Sequence, residues 1–214
     1  MKDKILAHMG SLLGGVVHNL NTPLMWVMGR AQLIQSRAER FESFRDLSDE
    51  EFTTFREKND KDISSILEGA EKIDAILKGL GYKIQMVNEG YTSVELREYL
   101  EMETNFLMAD MRFKHDTKRE IQLNSRSHYA KVDYNALSAA VTGVINAIMD
   151  HTEKGRSIRI SLENGVIHLA CPEMNPDEAS RREIEDACSA LTTHADIFTD
   201  DSEGLHVTIT LKDL

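Results

Sequence analysis

Leu6, Leu13, Leu20, Val27 and Ile34 recur every seven residues, and Gly10, Val17, Leu24 and Ala31 fill the alternate position of the same repeat. Apolar side chains at this 3-4 spacing leave a chain few options: they predict a long helix, from about Asp3 to about Phe41, whose stripe must be covered by other helices. A second series, Ile63, Ile66, Ala70, Ile73, Leu77, Leu80, Ile84 and Val87, predicts another helix from about Glu51 to about Val87. The polar stretch FESFRDLSDE between them is short, so the pair forms an antiparallel hairpin. One hairpin cannot cover both faces of its stripe, which Leu12, Val16, Met28 and Leu33 widen. The expected solution is a homodimer built on a four-helix bundle.

The pattern changes near Glu89–Tyr91, which divides the chain into an expected hairpin domain, residues 1–89, and a second domain, residues 90–214. Thr92 followed by Glu95 reads as a capping box for a helix to about Met111. REIQLNS (Arg119 to Ser125) and YAKVD read as short strands, with a helix after them from about Tyr134 to Asp150. SIRISLENGVIHLAC is a β-hairpin signal, two alternating runs around Asn164-Gly165. In MNPDEASRREIEDACSAL, Asn175 is the expected N-cap and Pro176 the first helical residue. LHVTITL is the last expected strand. The fold class is therefore α+β, a helical hairpin followed by a sandwich with helices on one face of a sheet.

Composition narrows the function. No apolar run approaches the roughly 18 residues of a membrane span, and the opening MKDKILAHMG lacks the pattern of a signal peptide. Cys171 and Cys188, without metal spacing or a disulfide framework, read as two core thiols of a cytoplasmic protein. A formal charge of −11 argues against a nucleic-acid partner. The charge is uneven: residues 1–40 sum to +3 and residues 171–204 to −8. The first helix is thus the part suited to an acidic partner. His151, His168, His194 and His206 lie far apart without metal-ligand spacing, and no metal site is expected. Trp26, Met25 and Met28 read as bundle packing.

The sharpest local feature is GGVVHNLNTPLMW, Gly14 to Trp26. His18 follows the seam position Val17, so it lies on the flank of the stripe. Ser11, Gly14, Thr22, Met25 and Gly29 share its side of the helix. Each glycine weakens a helix by about 1 kcal/mol relative to alanine. A structural histidine gains nothing from that loss; a reactive one gains room for another surface to approach. Pro23 has no N–H for the carbonyl four residues earlier, which predicts a kink beside His18.

HNLNTPL, His18 to Leu24, resembles the phosphoacceptor box of sensor histidine kinases: His, an acid, two variable residues, Thr or Asn, Pro and Leu. The resemblance covers about residues 1–88. It implies that His18 is phosphorylated on a ring nitrogen and that Thr22 positions a water or a receiver side chain. It also implies an acid as general base directly after the histidine. The residue there is Asn19, which can orient an imidazole but cannot take its proton at neutral pH.

The second half resembles the ATPase domain of the same kinases in reduced form. Asn146-Ala147 matches the end of the family's Asn box, where the asparagine would chelate Mg²⁺ beside ATP, and the earlier asparagine falls at Thr142. After GVIHLAC the family shows Asp-x-Gly-x-Gly; this chain reads CPEMNPDEAS, with Asp177 but no glycine. Gly204 is the only glycine after Gly165, so a glycine-rich phosphate lid is missing.

Together these readings predict a cytoplasmic histidine phosphotransferase that uses His18, with Asn19 and Thr22 beside it, to exchange a phosphoryl group with Asp of response-regulator receiver domains. No cofactor is expected to bind stably, Asn146 being vestigial and Mg²⁺ coming with the receiver. A hybrid kinase is a further expected partner. The alternatives are a non-catalytic dimeric scaffold and a divergent ATP-dependent kinase.

Overall fold

The computed structural model describes residues 2–39, 48–123 and 126–212. Its elements are α1 (Lys2–Glu39), α2 (Asp49–Glu89), β1 (Tyr91–Glu95), α3 (Leu96–Leu107), a π-helical turn (Arg112–Asp116), β2 (Thr117–Gln122), β3 (Tyr129–Asp133), α4 (Tyr134–Asp150), β4 (Arg156–Glu163), β5 (Val166–Cys171), α5 (Glu178–Cys188), β6 (Ala195–Asp200) and β7 (Leu205–Leu211). The expected helix end near Phe41, most of the loop after it and the last two residues of the strand expected over Arg119–Ser125 lie outside the described residues. Among the described residues no helix is long and apolar enough to cross a membrane.

Helix α2 ends at Glu89 and strand β1 begins at Tyr91. Packing divides the chain elsewhere: residues 1–15 join residues 79–214 in one unit, and residues 16–78 form the other. The first unit therefore includes the first turns of α1 and the last turns of α2.

In that first unit the five-stranded sheet runs β2-β4-β5-β7-β6, with β2 parallel to β4 and the other pairs antiparallel. Strand alternation turns Ile158, Ile160, Leu162, Ile167, Leu169, Val207 and Ile209 to the buried side. The buried stripe of α4 includes Leu137, Val141, Val144, Ile145 and Ile148. The β4–β5 turn uses Asn164 at φ 51° and Gly165 at φ 83°, as the two central residues of a type I′ turn require. Cys171 and Cys188 are buried free thiols, and burial pushes Cys188 up to about 11.

Two predicted helix starts are corrected. Thr92 is not a cap: it lies in β1, paired with Val132 of β3, and Glu95 caps α3 by accepting the amides of Arg97 and Glu98. Likewise Asp177, not Asn175, caps α5, accepting the Ser180 amide at 2.8 Å. A capping box does form at α2, where Ser48 and Glu51 bond reciprocally. Strands β1 and β6 were not legible in sequence. Only Ala195 of β6 is buried, so this edge strand carries almost no apolar alternation.

The heptad series also splits. In the first unit Ile5, Met9 and Leu12 are buried, whereas the seam residues Leu6 and Leu13 are exposed. In the second unit Val16 is buried and Val17, Leu24, Met28, Ile63, Leu67 and Leu77 are exposed. Leu12 and Val16, expected to widen the stripe, are the residues buried within the chain. The hairpin packs on a stripe one residue away from the heptad, leaving much of the heptad on the surface.

The adjacent glycines of α1 play opposite roles. A Cβ on Gly15 would lie 1.8 Å from the Ala109 carbonyl oxygen, whereas one on Gly14 would meet nothing within 4 Å. Gly14→Ala should therefore stabilise the protein by up to about 1 kcal/mol. Gly15→Ala should destabilise it, because overpacking of about 1–3 kcal/mol or more exceeds the gain in helix propensity. Urea unfolding of both variants checks the opposed signs.

Candidate functional site

The hairpin unit carries HNLNTPL, the stretch that resembles a phosphoacceptor box. His18 is exposed on α1, and Thr22, one turn on, is exposed beside it. The Thr22 hydroxyl donates to the His18 carbonyl at 3.2 Å, which fixes the threonine on the same side of the helix. Asn19 is half-buried. Pro23 is buried, and α1 continues through it to Glu39. What accommodates this turn is Gly69 on α2: a Cβ there would lie 2.7 Å from Val27 Cγ2 and 3.2 Å from the Pro23 carbonyl oxygen. Gly69 was missed in sequence because an isolated glycine in a helical pattern has no signal beyond its propensity penalty.

Around the motif the surface is apolar and partly ordered by charge. Met25 and Trp26 are 72% and 52% exposed. Lys72 of α2 stands over the Trp26 ring at 5.0 Å, holding the indole on the surface. Further along the hairpin unit, the buried carboxylate of Asp62 accepts from Arg30 at 2.8 Å and also from Arg37. Two basic residues of the first forty are thus committed to a fold contact rather than left free for a partner.

Asn146 lies in the other unit, near the end of α4. Its Oδ1 is buried without a hydrogen-bond partner among the described residues, and its side chain lines a cavity of about 510 Å³ with Ile5, His8, Ser138, Thr142 and Ala187. Burial and the neighbouring Lys83 ammonium hold His8 below the ordinary imidazole range. Thr142, at the place of the family's earlier asparagine, donates its hydroxyl to Glu103 at 2.9 Å. Glu103 is paired with the buried Lys83, which also donates to Ser138 at 3.1 Å. Sequence reasoning missed this cluster, although Lys83 falls seven residues after Ile76 on the inner stripe, where a lysine is out of place.

The structure thus brings His18, Asn19 and Thr22 together within one turn and places Asn146 in the other unit. Thr142 and Asp177, two of the nucleotide positions implied by the resemblance, have other partners, whereas Asn146 faces the cavity. Asp177 is a helix cap, and a Cβ on Gly143 of α4 would lie 2.4 Å from the Ala187 Cβ, so α5 closes directly on α4 one turn before Asn146.

No family model and no curated protein matches the sequence. Among solved structures, the chain is similar to the cytoplasmic segment of histidine kinase QseC, with 10% identity over 58% of this chain and 79% of that one, TM-score 0.45. It is also similar to Acinetobacter baumannii histidine kinase AdeS, with 14% identity over 92% of this chain and 98% of that one, TM-score 0.40. A third is histidine kinase ThkA in complex with the response regulator protein TrrA, with 14% identity over 100% of this chain and 64% of that one, TM-score 0.43. All three of these structures are of histidine kinases.

Proposed function

We propose that this protein is a two-component histidine phosphotransferase, in which His18 exchanges a phosphoryl group with the aspartate of response-regulator receivers without using ATP. The observation that carries the reading is the exposed imidazole of His18 on HNLNTPL, with Thr22 anchored one turn away. In the forward step the ring nitrogen attacks the phosphorus of an aspartyl phosphate. The N–P bond forms as the P–O bond breaks, the carboxylate leaves, and the other ring nitrogen loses its proton to water. Transfer to a second receiver reverses these events. Such chemistry needs positioning and charge stabilisation more than a protein base, which suits Asn19 in place of an acid. Mg²⁺ and the acidic pocket belong to the receiver, which a hybrid kinase or a free regulator supplies.

Two features support the rest of the reading. The exposed row Val17, Leu24, Ile63, Leu67 and Leu77 favours a homodimer with a four-helix bundle, because no other described residue of its unit covers these side chains. The commitments of Thr142, Asp177 and Gly143 favour an ATP-independent protein.

Labelled phosphate offered on purified receivers is expected to appear on the protein as an acid-labile, base-stable adduct, whereas labelled ATP alone leaves it unlabelled. Labelling by ATP would establish the divergent kinase instead, and labelling by neither would leave a scaffold.

A further inference from the structure

His168 of β5 and His206 of β7 are 38 residues apart in sequence, yet His168 Nδ1 and His206 Nε2 lie 3.2 Å apart. Both alternate with buried residues, Ile167 and Leu169 in one strand and Leu205 and Val207 in the other, so both point out from the opposite face of the sheet. They sit in a cleft of about 530 Å³ whose lining includes Arg159, Glu163, Asp200 and Glu203.

Two imidazole nitrogens this close must share either a hydrogen or a cation, since two bare lone pairs repel. The separation suits a cation. Ligands about 2.0–2.1 Å from one ion stand roughly 2.9 Å apart at a right angle and roughly 3.4 Å at the tetrahedral angle. Charge points the same way: the cleft holds three carboxylates, while its Arg159 is paired with Glu120 at 2.7 Å. Asp200 stands directly opposite His206 in the β6–β7 register. Among the described residues no three His, Cys, Asp or Glu side chains converge on one point, so the remaining positions fall to water.

We propose that His168 and His206 form a two-imidazole site for a borderline divalent transition ion, of the Zn²⁺, Cu²⁺ or Ni²⁺ class, on the open face of the sheet. Imidazole selects these ions over Mg²⁺ and Ca²⁺, which prefer oxygen. The bound ion ties β5 to β7, and binding to the native state alone raises the unfolding temperature.

Calorimetric titration of the full chain with Zn²⁺ at neutral pH tests the site, with Mg²⁺ as the comparison ion and thermal unfolding as the second readout. The expected result is one Zn²⁺ per chain at this site and an upward thermal shift. His168→Ala and His206→Ala, with His168→Gln and His206→Gln as size-matched replacements, should each weaken binding at least about tenfold, since a direct ligand matters no less than its supporting shell. The exposed His115→Ala should leave binding unchanged. Absence of binding to the wild-type chain, or binding that survives in the His168 and His206 variants, overturns the proposal and leaves the pair sharing a proton.

Discussion

His18→Gln is expected to reduce phosphoryl labelling from receivers to background while leaving the unfolding midpoint of the protein within about 0.5 kcal/mol of wild type. The side chain is exposed, so little packing depends on it. Glutamine keeps comparable length and polarity but has no ring nitrogen with a lone pair to attack phosphorus. Thr22→Ala should slow transfer without abolishing it, because the nucleophile remains and only its neighbour one turn away changes. The measurement is the time course of label on the protein and on the accepting receiver. Undiminished label in His18→Gln would place the phosphate on another residue and remove the basis of the functional proposal.

Glu103→Ala is expected to destabilise the protein by about 3–5 kcal/mol, because it leaves the Lys83 ammonium buried without its counter-charge. The side chains of Lys83 and Glu103 are 2% and 1% exposed, so water cannot replace the lost partner. Domains of ordinary stability retain only about 5–15 kcal/mol in total, so the change is severe. The reverse deletion should be milder. In Lys83→Met the carboxylate keeps the hydroxyls of Thr142 at 2.9 Å and of Tyr134 and Ser138 at 3.4 Å. Replacing both, as Lys83→Met with Glu103→Leu, should recover much of the loss, since a buried ion pair adds little over well-packed apolar groups. Urea unfolding of the three variants decides the matter, and a double variant no more stable than Glu103→Ala would contradict it. This cluster matters for the reading of the second half, because it occupies the Thr142 side of α4 with structural bonds.

How far the candidate site was legible differs by region. The motif around His18 was readable because its parts lie within one helical turn, where local geometry dictates which side chains share a face. The Asn164-Gly165 turn and the span of α4 were readable for the same reason: backbone preference and the period of the apolar residues agreed. Thr92 misled because a capping-box pattern is local, and pairing of β1 with β3 overrode it. The π-helical turn and β6 left no comparable trace, the first for lack of a regular pattern and the second because only one of its residues is buried.

Periodicity, turn chemistry and the spacing of HNLNTPL determined on their own that this chain would build a long helical hairpin, present a histidine on it and end in an α+β domain. The tertiary structure alone decided which of two neighbouring stripes the hairpin buries, that Gly15 must be bare against Ala109, and that Lys83 meets Glu103 and His168 meets His206. The division has a physical cause. Helical and strand periods constrain residues a few positions apart, whereas contacts between segments distant in sequence depend on how whole faces choose one another, and a shift of a single residue in that choice exchanges the buried and exposed sets.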